Sequence, residues 1–180
     1  MSSMVSLTGA SDAELMRLHQ GGHDEAFGEL FRRHKDRMWA VALRTTRDPE
    51  IAADAVQDGF IKAFRRADSF RGDSQVTTWL HRIVVNACLD RLRKIKPTSN
   101  LDDHEPVETR DYHQSVEVRM DIRAALNRLP EGQRLALILV DMQGLSVAEA
   151  AIALDVAQGT IKSRCARGRS AIAQDLGLSP

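Results

Sequence analysis

Asp155-Val156-Ala157-Gln158-Gly159-Thr160-Ile161-Lys162-Ser163-Arg164-Cys165-Ala166-Arg167-Gly168-Arg169 is the stretch from which the fold of this 180-residue chain can be read. Ile161, Cys165 and Ile172 recur at a spacing that places them on one helical face, to be buried. Lys162, Ser163, Ala166 and Arg167 then point outward as a short polar and basic ridge. From Lys162 to Arg169 the helix carries four cations and no anion. A helix of this shape fits the major groove of duplex DNA, where Arg and Lys donate to guanine edges and to phosphates. Ser146 to Leu154 supplies an apolar supporting helix, and the two together read as a helix-turn-helix.

Formal net charge is zero, which taken alone argues against a nucleic-acid partner. By segment the balance is uneven: residues 1–60 carry −3, 61–96 carry +6, 97–118 carry −5 and 157–173 carry +4. Two basic blocks therefore flank an acidic connector. Phosphate attraction acts locally, within a Debye length of about 8–10 Å, so this pattern is more informative than the sum.

The connector, Lys96-Pro97-Thr98-Ser99-Asn100-Leu101-Asp102-Asp103-His104-Glu105-Pro106, has two prolines, acidic residues and no helical period. It marks a domain boundary, and apolar spacing resumes at Val118, Ile122, Ala125 and Leu129. Two readings stand: a solvated tether, or an acidic strand that occupies a basic nucleic-acid channel in a partner. The expected organisation is all-α: a helical domain over residues 11–96, an extended acidic linker over 97–117, and a helix-turn-helix domain over 118–176.

The first domain reads as helices throughout. Leu15 and Leu18 belong to a segment that stops at Gly21-Gly22. Ala26, Leu30, Phe31, Met38, Val41 and Ala42 mark a helix to about Thr46. Asp48-Pro49 opens another, with Val56, Phe60, Ala63, Phe64 and Ala67 as its core stripe. Ser69 to Thr77 is expected as a loop, and Trp79 to Lys94 as the last helix, with Leu80, Ile83, Val84, Ala87, Cys88 and Leu92 inward.

Two faces of this domain exceed what a core requires. Asp54, Asp58, Ile61 and Arg65 line up at helical spacing, with Gln57 beside them. This acidic face suits a partner helix, or is simply solvated. On the last helix Trp79, Arg82, Asn86 and Arg93 share one side, and the loop adds Phe70 and Arg71. Rings for stacking, cations for phosphate and an amide for base edges are what single-stranded DNA needs; alternatively, Phe70 and Trp79 close the core.

Cys88 and Cys165 occupy apolar helical positions and are expected as buried free thiols rather than a disulfide. The longest apolar runs, Leu135 to Val140 among them, span six residues, against the ~20 of a membrane span. The N-terminus has no basic start followed by an apolar stretch, so no signal peptide, no membrane insertion and a cytosolic location are expected.

Three sets of motifs, in order along the chain, resemble bacterial sigma factors. Asp54-Ala55-Val56-Gln57-Asp58-Gly59-Phe60-Ile61-Lys62-Ala63-Phe64 is similar to the polymerase-binding helix. Ser69-Phe70-Arg71-Gly72-Asp73-Ser74, Thr78-Trp79-Leu80-His81-Arg82-Ile83 and Asn86-Ala87-Cys88-Leu89-Asp90-Arg91-Leu92-Arg93 resemble the −10-reading segment. Leu129-Pro130-Glu131-Gly132-Gln133-Arg134, Gly144-Leu145-Ser146 and Gly159-Thr160-Ile161-Lys162-Ser163-Arg164 resemble the −35-reading domain. From about Ser11 to Leu176 the chain resembles the extracytoplasmic-function (ECF) class of sigma-70-type initiation factors.

That resemblance implies roles. Asp54, Gln57, Asp58 and Ile61 would dock on a coiled coil of the largest core RNA polymerase subunit, with a second contact at the flap region. Phe70, Arg71, Trp79, Arg82 and Asn86 would serve the −10 element. There the loop, Phe70 and Asn86 would capture an extruded base and so drive melting. Lys162, Ser163 and Arg167 match base-contacting positions at the −35 element, and Arg164 and Arg169 flanking phosphate contacts. The acidic linker matches a segment threaded through the polymerase cleft. Promoter DNA, core polymerase and a regulatory anti-sigma factor are the implied partners, with no cofactor and no metal.

Several residues depart from the common pattern. Asp155 stands where the turn usually has Gly, although Asp tolerates the left-handed conformation better than most residues. Ala157 replaces a capping residue, at about 1 kcal/mol. Ala166 is small where larger side chains reach bases, and Gly168 lies mid-helix at about 1 kcal/mol against Ala.

Other signals carry nothing. Arg71-Gly72-Asp73 is a chance integrin-type tripeptide, and His19 with His23 lacks a third metal ligand nearby. Walker, Rossmann, HExxH and GxSxG elements are absent, so the chain is not read as an enzyme. A dimeric repressor would leave the first domain's single-strand-type face without a purpose. A sigma mimic would have lost the base-reading cations, and a nucleic-acid enzyme would need a carboxylate cluster.

Overall fold

The computed structural model describes residues 6–95 and 114–178. The chain divides into two compact units, Met1–Asn100 and Leu101–Pro180. Among the described residues both are built of helices, with no strand, as the apolar spacing predicts. Residues 97–113 of the expected acidic linker lie outside the described residues. No described helix is long and apolar enough to cross a membrane.

The first unit holds α1 (Asp12–Gln20), α2 (Asp24–Thr46), α3 (Pro49–Arg65) and α4 (Val76–Ile95). Local chemistry sets the helix starts. The Glu14 N–H donates to Ser11 Oγ at 3.2 Å and the Ser11 N–H to Glu14 Oε2 at 2.7 Å, a reciprocal cap on α1. Asp48 Oδ1 accepts from the N–H groups of Glu50 and Ile51 at 2.8 and 3.1 Å, and Pro49 takes the first helical position of α3. Arg47, left-handed at φ 61°, ends α2 immediately before that cap. Leu15, Met16, Leu30, Met38, Phe60, Leu80, Val84 and Cys88 form the core. Helices α3 and α4 approach closely at Gly59, where a Cβ would meet Val84 Cγ2 at 2.9 Å. A side chain there would force them apart.

A polar knot ties the N-terminal end of this unit to α2. Arg33 donates to the carbonyls of Leu7, Thr8 and Ala10 and to Asp12 and Glu29. His34 Nε2 lies 2.7 Å from Asp12 Oδ2. Hydrogen bonds from Arg32 and Arg33 hold the Glu29 carboxyl down at about 2.

The second unit holds α5 (Gln114–Arg128), α6 (Glu131–Leu137), α7 (Val147–Leu154) and α8 (Gln158–Asp175). Helix α6 runs on into a single wide turn over Ile138–Met142, closed by the Gln143 N–H on the Ile138 carbonyl at 3.0 Å. Leu135 to Leu139 are all buried. Ser146 and Glu149 repeat the reciprocal cap at the start of α7. Asp155 closes α7 in the left-handed conformation at φ 54°, and Ala157 enters α8 with no side-chain cap.

The structure departs from the periodicity in four places. Helix α4 begins at Val76 rather than Trp79: Val76 and Thr78 are 3% and 1% exposed, and that burial overrides the weak helix propensity of β-branched residues. Phe64, expected in the core, is 43% exposed because it lies at the end of α3, where its ring meets those of Phe27 and His19. Helix α5 already runs from Gln114, so residues 114–117 are helical rather than extended. Val118 and Ile122 are exposed, because α5 packs through Ala125, Leu126 and Leu129 near its C-terminal end.

Candidate functional site

The aromatic face of the first unit is centred on Phe70 and Trp79. Both are half-buried, both pack against the core, and their ring centroids lie 5.4 Å apart in an edge-to-face contact. Each ring therefore closes the core with one part and presents the rest to solvent. Gln20 fixes the start of the loop, donating Nε2 to the carbonyls of Ala67 and Phe70 at 2.8 and 3.0 Å. Gly72, at φ 79°, turns the loop in a conformation that favours glycine. Arg71 is exposed within it, and Arg82 and Asn86 are exposed on α4, one and two turns beyond Trp79. Arg93, further along the helix, lies 3.7 Å from Asp90.

On α3, Asp54, Gln57 and Ile61 are exposed and Asp58 is half-buried. The acidic pair is not merely solvated. Arg91 reaches across from α4, donating Nε and Nη2 to Asp58 Oδ2 at 2.9 and 2.6 Å and Nη1 to Asp54 Oδ2 at 3.3 Å. Arg91 is the residue that sequence reading missed. It lies two turns beyond Val84, on the side of α4 that faces α3. Only the close approach at Gly59 shows which carboxylates it meets, and helical period alone carries no such signal.

In the second unit Ile161 and Cys165 are buried and Lys162, Ser163, Ala166 and Arg167 are exposed, as the spacing predicts, whereas Ile172, expected on the buried face, is only half-buried near the C-terminal end of α8. Burial pushes the Cys165 thiol above its usual range, and the Cys88 thiol of the first unit up to about 12. Lys162 and Arg167 make no ion pair among the described residues. The flanking cations behave differently. The Arg164 guanidinium lies over Gly132, where a Cβ would come within 3.0 Å of it. Arg169 donates Nε and Nη2 to the two oxygens of Asp141 at 2.9 and 2.6 Å. Gly168 has a packing reason: a Cβ there would meet Leu137 Cδ1 at 2.8 Å, so the glycine lets α8 lie directly against α6.

The first unit thus presents a bridged acidic face and an aromatic, cationic one; the second presents a basic ridge on a seated helix. Comparison with known proteins gives this arrangement a family. The Sigma-70 region 2 model matches residues 30–98 and the Sigma-70 region 4 model matches residues 119–172. The ECF RNA polymerase sigma factor SigM of Mycobacterium tuberculosis is 52% identical over 169 residues, covering 93% of this chain and 85% of that protein. The ECF RNA polymerase sigma-E factor of Escherichia coli is 33% identical over 180 residues, covering 90% and 92%. The sigma factor RpoE of Bartonella quintana, solved with the anti-sigma factor NepR, matches with a TM-score of 0.70 at 28% identity, covering 86% of this chain and 98% of that one. With both region models matched and named factors similar along nearly all of its length, the chain belongs to the ECF class of sigma-70 RNA polymerase initiation factors.

Proposed function

We propose the following division of labour within this initiation factor. Residues 11–96 dock on core polymerase and open the −10 element, residues 118–176 grip the −35 element, and residues 97–117 connect them. Asp54, Gln57, Asp58 and Ile61 form the polymerase contact. Phe70, Arg71, Trp79, Arg82 and Asn86 take the −10 strand, with the loop and Asn86 receiving an extruded base. Unstacking and unpairing a base costs a few kcal/mol, so a pocket that binds only the extruded base shifts the duplex toward the open state. Lys162, Ser163 and Arg167 contact −35 bases, and Arg164 and Arg169 the neighbouring phosphates. The factor acts in the cytosol, has no catalytic step of its own, and is held in check by an anti-sigma factor.

The observation that carries this reading is the Phe70–Trp79 pair, half out of the core, on the same side of the unit as exposed Arg82 and Asn86. Ring faces, cations and an amide on one exposed surface are what an unpaired strand requires. Permanganate footprinting of holoenzyme on a promoter tests it. Asn86→Ala is expected to lower thymine reactivity in the −10 region by at least about tenfold, equivalent to about 1.4 kcal/mol, while co-purification with polymerase is unchanged. Asp58→Arg is expected to abolish co-purification and, because it breaks the bridge to Arg91, to lower thermal stability modestly while the unit stays folded. Normal melting by the Asn86 variant would overturn the −10 assignment.

A further inference from the structure

Arg169 leaves α8 on the flank of the basic ridge and ends on Asp141. The contact is a two-bond fork at 2.6 and 2.9 Å between side chains that are 55% and 41% exposed. Paired planar groups of this kind are the strongest side-chain contacts that Arg makes with a carboxylate, and they match the fork it offers to phosphate. Asp141 sits in the wide turn over Ile138–Met142, which adds a residue before the chain leaves α6 and so sets where the carboxylate stands against α8. Lys162 and Arg167, on the outward ridge, have no such partner among the described residues. One of the helix's four cations is thus already spent within the protein.

We propose that Asp141 is a built-in brake on sequence-independent DNA binding, holding Arg169 in a fork that a phosphate has to displace. The proposal deepens the assignment of α8 to the −35 duplex and rests on it. Each phosphate neutralised contributes to every duplex alike and makes binding more salt-dependent. With Arg169 held by Asp141, that sequence-independent part is smaller by up to one contact, and a larger share of the grip is left to Lys162, Ser163 and Arg167. A carboxylate paired with a phosphate-binding cation also repels phosphate by its own charge, so its removal acts in two ways. Only the part that passes through Arg169 belongs to the proposal.

The test is holoenzyme binding at several salt concentrations, on a promoter, on its single-base −35 variants and on a promoterless duplex. Wild type is compared with Asp141→Asn, Asp141→Ala, Arg169→Ala and Asp141→Asn/Arg169→Ala, each checked by thermal unfolding. Asp141→Asn is expected to tighten binding to every duplex by similar factors. It should steepen the log–log salt slope by about 0.9, so that affinity falls roughly threefold further than wild type between 50 and 200 mM salt. Arg169→Ala alone is expected to weaken binding to every duplex by a similar, modest factor, because it removes a phosphate contact and leaves the Asp141 carboxylate unpaired, and to remove most of the Asp141→Asn gain in the double variant. Asp141→Ala, which keeps no acceptor, should exceed Asp141→Asn. An unchanged affinity and slope in Asp141→Asn, or a gain that survives undiminished without Arg169, would overturn the proposal. Should wild type discriminate among no −35 variants, it is the assignment of α8 that fails. The salt slopes of the variants still decide the role of Asp141.

Discussion

Phe70 and Trp79 in the first unit and Lys162 and Arg167 in the second are all proposed to contact promoter DNA, yet the protein carries them differently. The two rings are part of the packing that holds the loop at Phe70 against α4. The two cations stand on a ridge that contributes nothing to the core beneath it. The difference follows from the task. Stacking a base needs a rigid, apolar surface, which is cheapest to build as the edge of an existing core. Reading a groove needs donors that reach outward, and those are best kept off the core. In the first unit function and fold are therefore entangled, and in the second they separate along the helix surface.

The largest expected effect would break that separation from beneath. Gly168→Val puts atoms where Leu137 already lies, with the Cβ alone at 2.8 Å, so α8 must lift off α6. A cost of about 1–3 kcal/mol is typical of such overpacking. Thermal unfolding of the second unit should show it together with weakened −35 binding, although no DNA-facing side chain has changed.

A paired comparison sharpens the contrast. Phe70→Ala is expected to cost about 2 kcal/mol of stability, roughly half the value for a fully buried ring, and to impair promoter opening at the same time. Arg167→Ala should leave unfolding within about 0.5 kcal/mol of wild type while losing about 1–3 kcal/mol of discrimination at one −35 position. Chemical denaturation and holoenzyme binding on single-base variants measure the two quantities. Equal loss on every −35 variant would show that Arg167 grips only phosphate.

The smallest effect concerns pH. The Glu29 carboxyl is held near 2, below its usual 4.5, by hydrogen bonds from Arg32 and Arg33. Because its pKa is lower in the folded state, its contribution to stability is complete above about 4.5 and disappears as pH falls through about 2. Glu29→Gln should flatten the acid limb of the first unit's unfolding curve across that window and leave the second unit's unchanged. Circular dichroism melts at stepped pH follow both.

Sequence reading recovered what helical period and capping chemistry encode: the helices, the supporting and recognition pair, the outward Lys162–Arg167 ridge and the left-handed turn at Asp155. It failed wherever the answer lay in a neighbour distant along the chain. Arg91 on Asp58, Asp141 on Arg169 and Leu137 over Gly168 are separated by 33, 28 and 31 positions. Period gives a face but not its partner. Gly168 illustrates the limit: along the chain it is only a weak helix former, and its use emerges when α6 lies against it. Val76 differs, since the stretch from Ser69 to Thr77 carries no helical period and tertiary burial is what starts α4 there.

Gly168 has a consequence for how such a factor changes over generations. The attachment of α8 is carried by a residue with no side chain and by the buried Ile161 and Cys165, none of which lies on the ridge. Lys162, Ser163, Ala166 and Arg167 carry none of that attachment, so they are free to vary as an exchangeable set. On the proposed −35 assignment, a lineage can retarget its promoters by swapping those surface groups while the mounting stays fixed. A protein engineer can do the same, leaving Gly168 alone and rewriting only what the helix shows to the groove.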